Sequence, residues 1–235
     1  GKVVTDYEVI EVKTERVLEG KQTLTADNNK ESMRYAAHVI ADKVYELITG
    51  IPGDFSGRIA YIEEIGTGKE KISRLKVMDA DGENAKTITE VAGSIFSPTW
   101  SPDGNRIAYS VQRDKSHPVI YIQNVSGGGA TPLTPFPGSN LSPSFSPDGS
   151  KILFSSSFEG SADIYEMSAS GGQPRRLTNW PSGEVQPSYA PDGKSFVFVS
   201  DRAGFNKPRI YRYEFGSGRT TQVSNSGYAT SPQFS

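Results

Sequence analysis

The 235-residue sequence contains no cysteine, only two histidines, and only two tryptophans. The absence of cysteine excludes disulfides, thiolate zinc sites and a cysteine nucleophile. It leaves the compartment open, because cytosolic and periplasmic proteins alike manage without disulfides. No apolar run approaches the roughly 18 residues of a membrane span, and mean hydropathy is −0.48. Neither charge sign dominates: 25 Lys and Arg face 27 Asp and Glu, for a net charge of −2. There is no basic field to hold a phosphate backbone, so nucleic acid is not an expected partner. Residues 1–10 do not read as a secretory leader. Metalloprotease, nucleophile-elbow, P-loop and dinucleotide motifs are all missing.

What the chain does have is turns and repetition. It holds 24 glycines and 15 prolines, a content that fits many tight turns better than long helices. Three segments align without gaps: Ser97-Pro98-Thr99-Trp100-Ser101-Pro102-Asp103-Gly104, Ser142-Pro143-Ser144-Phe145-Ser146-Pro147-Asp148-Gly149, and Gln186-Pro187-Ser188-Tyr189-Ala190-Pro191-Asp192-Gly193. A fourth copy begins at Ser231-Pro232-Gln233-Phe234-Ser235, and the first proline steps by 45, 44 and 45 residues. Each full copy continues into a strand pattern (Arg106–Tyr109, Lys151–Phe154, Ser195–Phe198), and Arg58–Tyr61 reads the same way. A second strand pattern, a Gly-rich turn and a short polar-apolar-Thr segment complete each unit. Four short strands per unit of about 44 residues predict a β-propeller, whose sheets bury their faces only by stacking on one another. Four blades and the start of a fifth are expected over residues 58–235.

The Pro-Asp-Gly corner has a local cause. Proline presets φ, aspartate bonds back to the backbone, and glycine accepts positive φ. Asp103, Asp148 and Asp192 are therefore read as turn residues, not catalytic ones. Strand polarity places these corners and the Gly-rich turns on one face of the propeller. The loops between second and third strands, and those entering the next blade, lie on the other. The second set does not repeat: 92–96, 137–141, 181–185 and 226–230 differ freely. Variable loops on a repeated scaffold are where function concentrates. Phe96, Leu141, Val185 and Tyr228 are apolar residues within them, and Tyr228 is the only clear polar aromatic there.

Residues 1–57 do not repeat. Asp6–Lys13 and Arg16–Thr25 read as paired strands with a bulge at Glu19-Gly20. Met33, Ala36, Ala37, Ile40, Val44, Leu47 and Ile48 mark one face of a helix. Asn28 with Glu31 fits an N-terminal capping box, and Gly50 before Pro52 fits the stop. This β-β-α unit is the expected C-terminal part of an α/β domain, with 51–57 as linker. His38 and His117 read as surface or packed residues. Asp79-Ala80-Asp81-Gly82-Glu83-Asn84 lacks EF-hand spacing and reads as a turn.

The Ser-Pro-x-aromatic-Ser-Pro-Asp-Gly repeats resemble those of the TolB family. The passage from Ala36 through His38, Asp42, Gly50-Ile51-Pro52-Gly53-Asp54-Phe55 to Arg58-Ile59-Ala60-Tyr61 resembles that family's junction between N-terminal domain and first blade. Ser200-Asp201-Arg202-Ala203-Gly204 resembles one of its blade segments. The resemblance implies a non-enzymatic periplasmic scaffold of the Tol-Pal envelope system, supporting outer-membrane integrity and cell division. It implies an α/β domain followed by a six-bladed propeller whose loop-rich mouth binds the peptidoglycan-associated lipoprotein Pal. TolA would be reached through an N-terminal segment missing from this chain, and colicins exploit the family. The implied Pal-binding residues are Ser139, Asn140, Leu141, Ser142, Glu184, Val185 and Gln186. Tyr228, Ala229 and Thr230 join them as the corresponding variable loop. The shortfall from six blades predicts a fragment, with closure into a four-bladed ring as the alternative. No cofactor is expected, although a propeller channel leaves room for a cation, and a monomer without membrane insertion is expected. The competing reading is a propeller module of a peptidase or polysaccharide-active enzyme.

Overall fold

The computed structural model describes residues 1–204 and 206–234, with backbone only at Lys69. Two compact units emerge: 1–59 with 77–86, and 60–76 with 87–235. In the first unit, β1 (Lys2–Glu11) and β2 (Arg16–Asp27) form an antiparallel two-stranded sheet. Its register slips between Tyr7 and Val9, opposite Glu19 and Gln22, so the expected bulge contains Gly20. Both strands run longer than the sequence pattern suggested. Helix α1 (Lys30–Thr49) follows. Its N-cap is Asn29, whose side chain accepts from Ser32 N at 2.8 Å, one residue later than expected. Gly50 closes the helix at φ 72 by donating to Glu46 O. Of the expected apolar face only Ala36 is buried, while Met33 and Ile48 are exposed.

Also in this unit, Asp81 binds the Arg34 guanidinium and stands 3.1 Å from His38 Nε2. The Asp79–Asn84 turn is closed by Gly82 N donating to Asp79 O (2.9 Å) and Asn84 Nδ2 to Asp79 Oδ2 (2.6 Å). The Asp79 and Asp81 carboxylates are thus engaged within the protein, and the Asp81 pKa is lowered first by the Glu83 N–H and then by the Arg34 and His38 charges.

The repeats become sheets. β3 (Arg58–Ile65), β4 (Ile72–Asp79) and β5 (Lys86–Ala92) form a three-stranded sheet in chain order. β6 (Ser94–Trp100), β7 (Arg106–Gln112), β8 (Val119–Asn124) and β9 (Thr131–Pro132) form the first of three four-stranded sheets. β10 (Asn140–Phe145), β11 (Lys151–Ser156), β12 (Asp163–Ser168) and β13 (Arg175–Arg176) form the second. β14 (Glu184–Tyr189), β15 (Ser195–Ser200), β16 (Arg209–Glu214) and β17 (Thr220–Gln222) form the third.

The second strand of each four-stranded sheet is buried on both faces, which is why it reads as a largely continuous apolar run rather than an alternating one. In β11, Ile152 and Phe154 join a cluster with Ala108, Ile120 and Ile122 of the preceding sheet. Leu153, pointing the opposite way, joins Tyr189, Phe196 and Phe198 of the following one. Each such side chain contributes about 1.5–3 kcal/mol by leaving water, so successive sheets hold one another in place.

The fourth repeat copy behaves differently. Ser231 adopts the same backbone conformation as its counterparts, but residues 231–234 form no strand and Ser235 lies outside the described residues. Among the described residues β3 has no strand on its free side.

Candidate functional site

The loops around the first strands of the sheets are shaped by one recurrent distortion. Ser97, Ser142, Gln186 and Ser231 all take left-handed φ, between 49° and 55°, immediately before a proline. In the three sheets the pairing slips at this point, between Phe96 and Thr99, Leu141 and Ser144, and Val185 and Ser188. The four Ser/Gln-Pro-x triplets converge on an axial recess of about 350 Å³. They are cross-linked there: Tyr189 N donates to Ser144 Oγ at 3.2 Å, and Ser231 N to Gln186 Oε1 at 2.9 Å. The lining is hydroxyl, amide and proline, without charge.

On the variable-loop face a second recess of about 330 Å³ opens between the chain around the start of β14 (Gly183, Val185, Gln186), the loop residues Asp201, Asn206 and Pro208, and Tyr228 with Thr230. Val185, Gln186, Tyr228 and Thr230 meet in it, although more than 40 residues separate the two pairs. Tyr228 is 76% exposed, and Ala229 N donates to Pro208 O at 3.2 Å. Ser142 and Gln186 line the axial recess. Ser139 and Leu141 instead hold the neighbouring strand: Ser139 N donates to Ser157 Oγ (3.0 Å), and Leu141 O accepts from Ser155 Oγ (3.1 Å).

Two of the expected contact residues turn inward. Asn140 and Glu184 are fully buried, because the first strand of each sheet starts earlier than the loop reading assumed. The same correction applies to Phe96, Leu141 and Val185, which lie in strands and are half-buried. Asn140 Nδ2 donates to the carbonyls of Pro118, Phe136 and Gly138 at 3.0–3.3 Å, and Oδ1 accepts from Ser156 Oγ at 2.7 Å. Glu184 occupies the equivalent position one sheet later and binds the Arg202 guanidinium.

That guanidinium is enclosed by rings. Its Cζ lies 4.8 Å from the Trp180 centroid, 5.5 Å from Phe198 and 4.6 Å from Tyr211. Burial pulls its pKa below the ordinary arginine value, yet the group stays charged at any physiological pH. Trp180 is 49% exposed, so Tyr228 is not alone among polar aromatics on this face. The sequence did carry a signal for Trp180: it follows Thr178 by two residues, as Phe136 follows Thr134.

Among the described residues no cluster of three or more His, Cys, Asp or Glu side chains is arranged to hold a metal ion. No helix among them is long and apolar enough to cross a membrane.

Radially repeated antiparallel sheets of about 44 residues, bulged toward a common recess, define a β-propeller. A family model described as the TolB beta propeller domain matches residues 45–235, and the chain belongs to that family. The Tol-Pal system protein TolB of Hahella chejuensis is 41% identical over 119 residues, 51% of this chain and 27% of that protein. The crystal structure of TolB from Acinetobacter baumannii shares 38% identity at a TM-score of 0.81, covering 97% of this chain and 58% of that one. A putative TolB from Agrobacterium tumefaciens gives 27% identity and a TM-score of 0.60 over 71% of this chain and 61% of that one. The chain therefore spans little more than half of the Acinetobacter protein.

Proposed function

We propose that this chain is part of a periplasmic, non-enzymatic scaffold of the Tol-Pal system that binds the lipoprotein Pal through its variable-loop face. The observation carrying this reading is the recess formed by Val185, Gln186, Tyr228 and Thr230, on the face where the repeats stop repeating. Relatives carrying the name Tol-Pal system protein TolB supply the system. Buried Asn140 and Glu184 act here by shaping the loops, while Tyr228, Thr230, Gln186 and Val185 present the contact surface. The fold supports such a role physically: sheets locked by shared cores hold the loops rigid, so binding costs little ordering entropy. Calorimetric titration with the globular domain of Pal tests it. Saturable binding is expected, with a Kd raised about tenfold or more in Tyr228→Ala, since exposed tyrosines at a recess are common hot spots. Absence of binding by the parent chain would sink the reading.

A further inference from the structure

Trp180 is held from both ends although it faces solvent. Its backbone N–H donates to Asp163 Oδ1 at 3.3 Å, and its carbonyl accepts from Ser161 Oγ at 3.2 Å. Asp163 is itself fully buried and is fixed by Arg176 Nη2 at 2.5 Å. The indole ring rests on the Arg202 guanidinium, which is clamped from below by Tyr211 and from the side by the Glu184 carboxylate. The indole N–H makes no hydrogen bond among the described residues. An exposed tryptophan usually loses rotamer freedom when it is captured; the stack on Arg202 restrains this one beforehand, so less of the binding free energy is spent on ordering it.

We infer that Trp180 is an anchor by which the variable face grips its protein partner, with Arg202 and Glu184 as positioning residues beneath it. The inference rests on the binding reading above. The partner surface it fits is an apolar recess the width of an indole, with a hydrogen-bond acceptor at its rim for the free N–H. A guanidinium behind the ring polarises the indole and strengthens that donor. Glu184 also links the anchor to the neighbouring recess, because the next two residues, Val185 and Gln186, line it.

Only Trp100 competes as an indole fluorophore, and phenylalanine occupies its place in the repeat at position 145. Trp100→Phe therefore gives a chain that reports on Trp180 alone. On adding the globular domain of Pal, the emission should shift to the blue and acrylamide quenching should fall at least about twofold. Trp180→Ala should raise the Kd about tenfold or more while a cooperative thermal transition is kept, and Trp180→Phe should restore most of the loss. Arg202→Lys, which keeps the charge but not the planar stack, should lower the anisotropy of Trp180 in the free protein and weaken binding by a smaller factor. Parent-like affinity in Trp180→Ala, with the indole as open to acrylamide in the complex as outside it, would overturn the anchor and leave the binding face standing. Failure of the parent chain to bind would overturn the partner assignment and the anchor together.

Discussion

Two corners of the propeller occupy the same place in successive repeats and are filled in opposite ways. In the first, Thr134 Oγ1 accepts from Ile120 N at 2.8 Å, and Phe136 packs on Phe158 at 5.8 Å, which packs on Tyr165 at 5.2 Å. In the second, Thr178 Oγ1 accepts from Ile164 N at 2.9 Å, and Trp180 packs on Arg202, which packs on Tyr211. The threonine, the two aromatic shelves and the backbone are shared. Phe158 has become Arg202, and Asn140 has become Glu184. The two changes make sense only together, since a guanidinium placed where a phenyl ring belongs needs a carboxylate beside it. The repeat thus dictates the frame, and compensated pairs supply the freedom to vary what the frame presents.

The comparison can be broken most severely at the charged corner. Arg202→Met leaves the Glu184 carboxylate buried without its partner and should cost about 3–5 kcal/mol in urea unfolding. Converting the whole corner to its neighbour's filling, with Trp180→Phe, Glu184→Asn and Arg202→Phe combined, should recover most of that loss. A triple variant no more stable than Arg202→Met would show that the corners are not interchangeable. At the neutral corner, Asn140→Ala strands the Phe136 and Gly138 carbonyls, while Pro118 O keeps the N–H of residue 140 at 3.0 Å, and about 1–3 kcal/mol should be lost by the same measurement.

The mildest effect belongs to the opposite face. Ser146 Oγ donates to Asp148 Oδ1 at 2.6 Å, and with the Ser150 N–H it lowers the Asp148 pKa from 3.8 to about 2. A carboxyl group depressed on folding stabilises the protein above its unfolded value. Its contribution is lost as pH falls from about 3.8 to about 2. The thermal midpoints of the parent and Asp148→Asn should therefore differ at pH 6 and converge near pH 2. Parallel curves throughout would refute the assignment. The third copy of this corner has Ala190 where the others have serine.

The parts of the fold legible in the sequence were those fixed by local chemistry. A proline, an aspartate and a glycine in succession have few conformations open to them, so the corners and the spacing of the sheets could be read directly. The helix starts one residue later than the sequence suggests because Asn28 and Asn29 are equally good caps, and Asn28 is held at the end of the β1–β2 pair by donating its N–H to Gly1 O at 3.0 Å. The site was less legible because its residues are sorted by distant partners. Glu184 and Asn140 look like loop polar groups until the strand pairing draws them inside. Trp180 owes its setting to Arg202, 22 residues further on. Tyr228 and Thr230 reach Val185 and Gln186 only across a strand pair.

The left-handed residue and proline in the first strand of each four-stranded sheet have one more consequence. Those strands are sheet edges, and an edge with intact N–H and C=O groups is a template for runaway association with other chains. Pro98, Pro143 and Pro187 each delete a donor, and the slipped register beside them bends the remaining ones out of line. A solubility safeguard is thereby written into the same three residues that shape the axis.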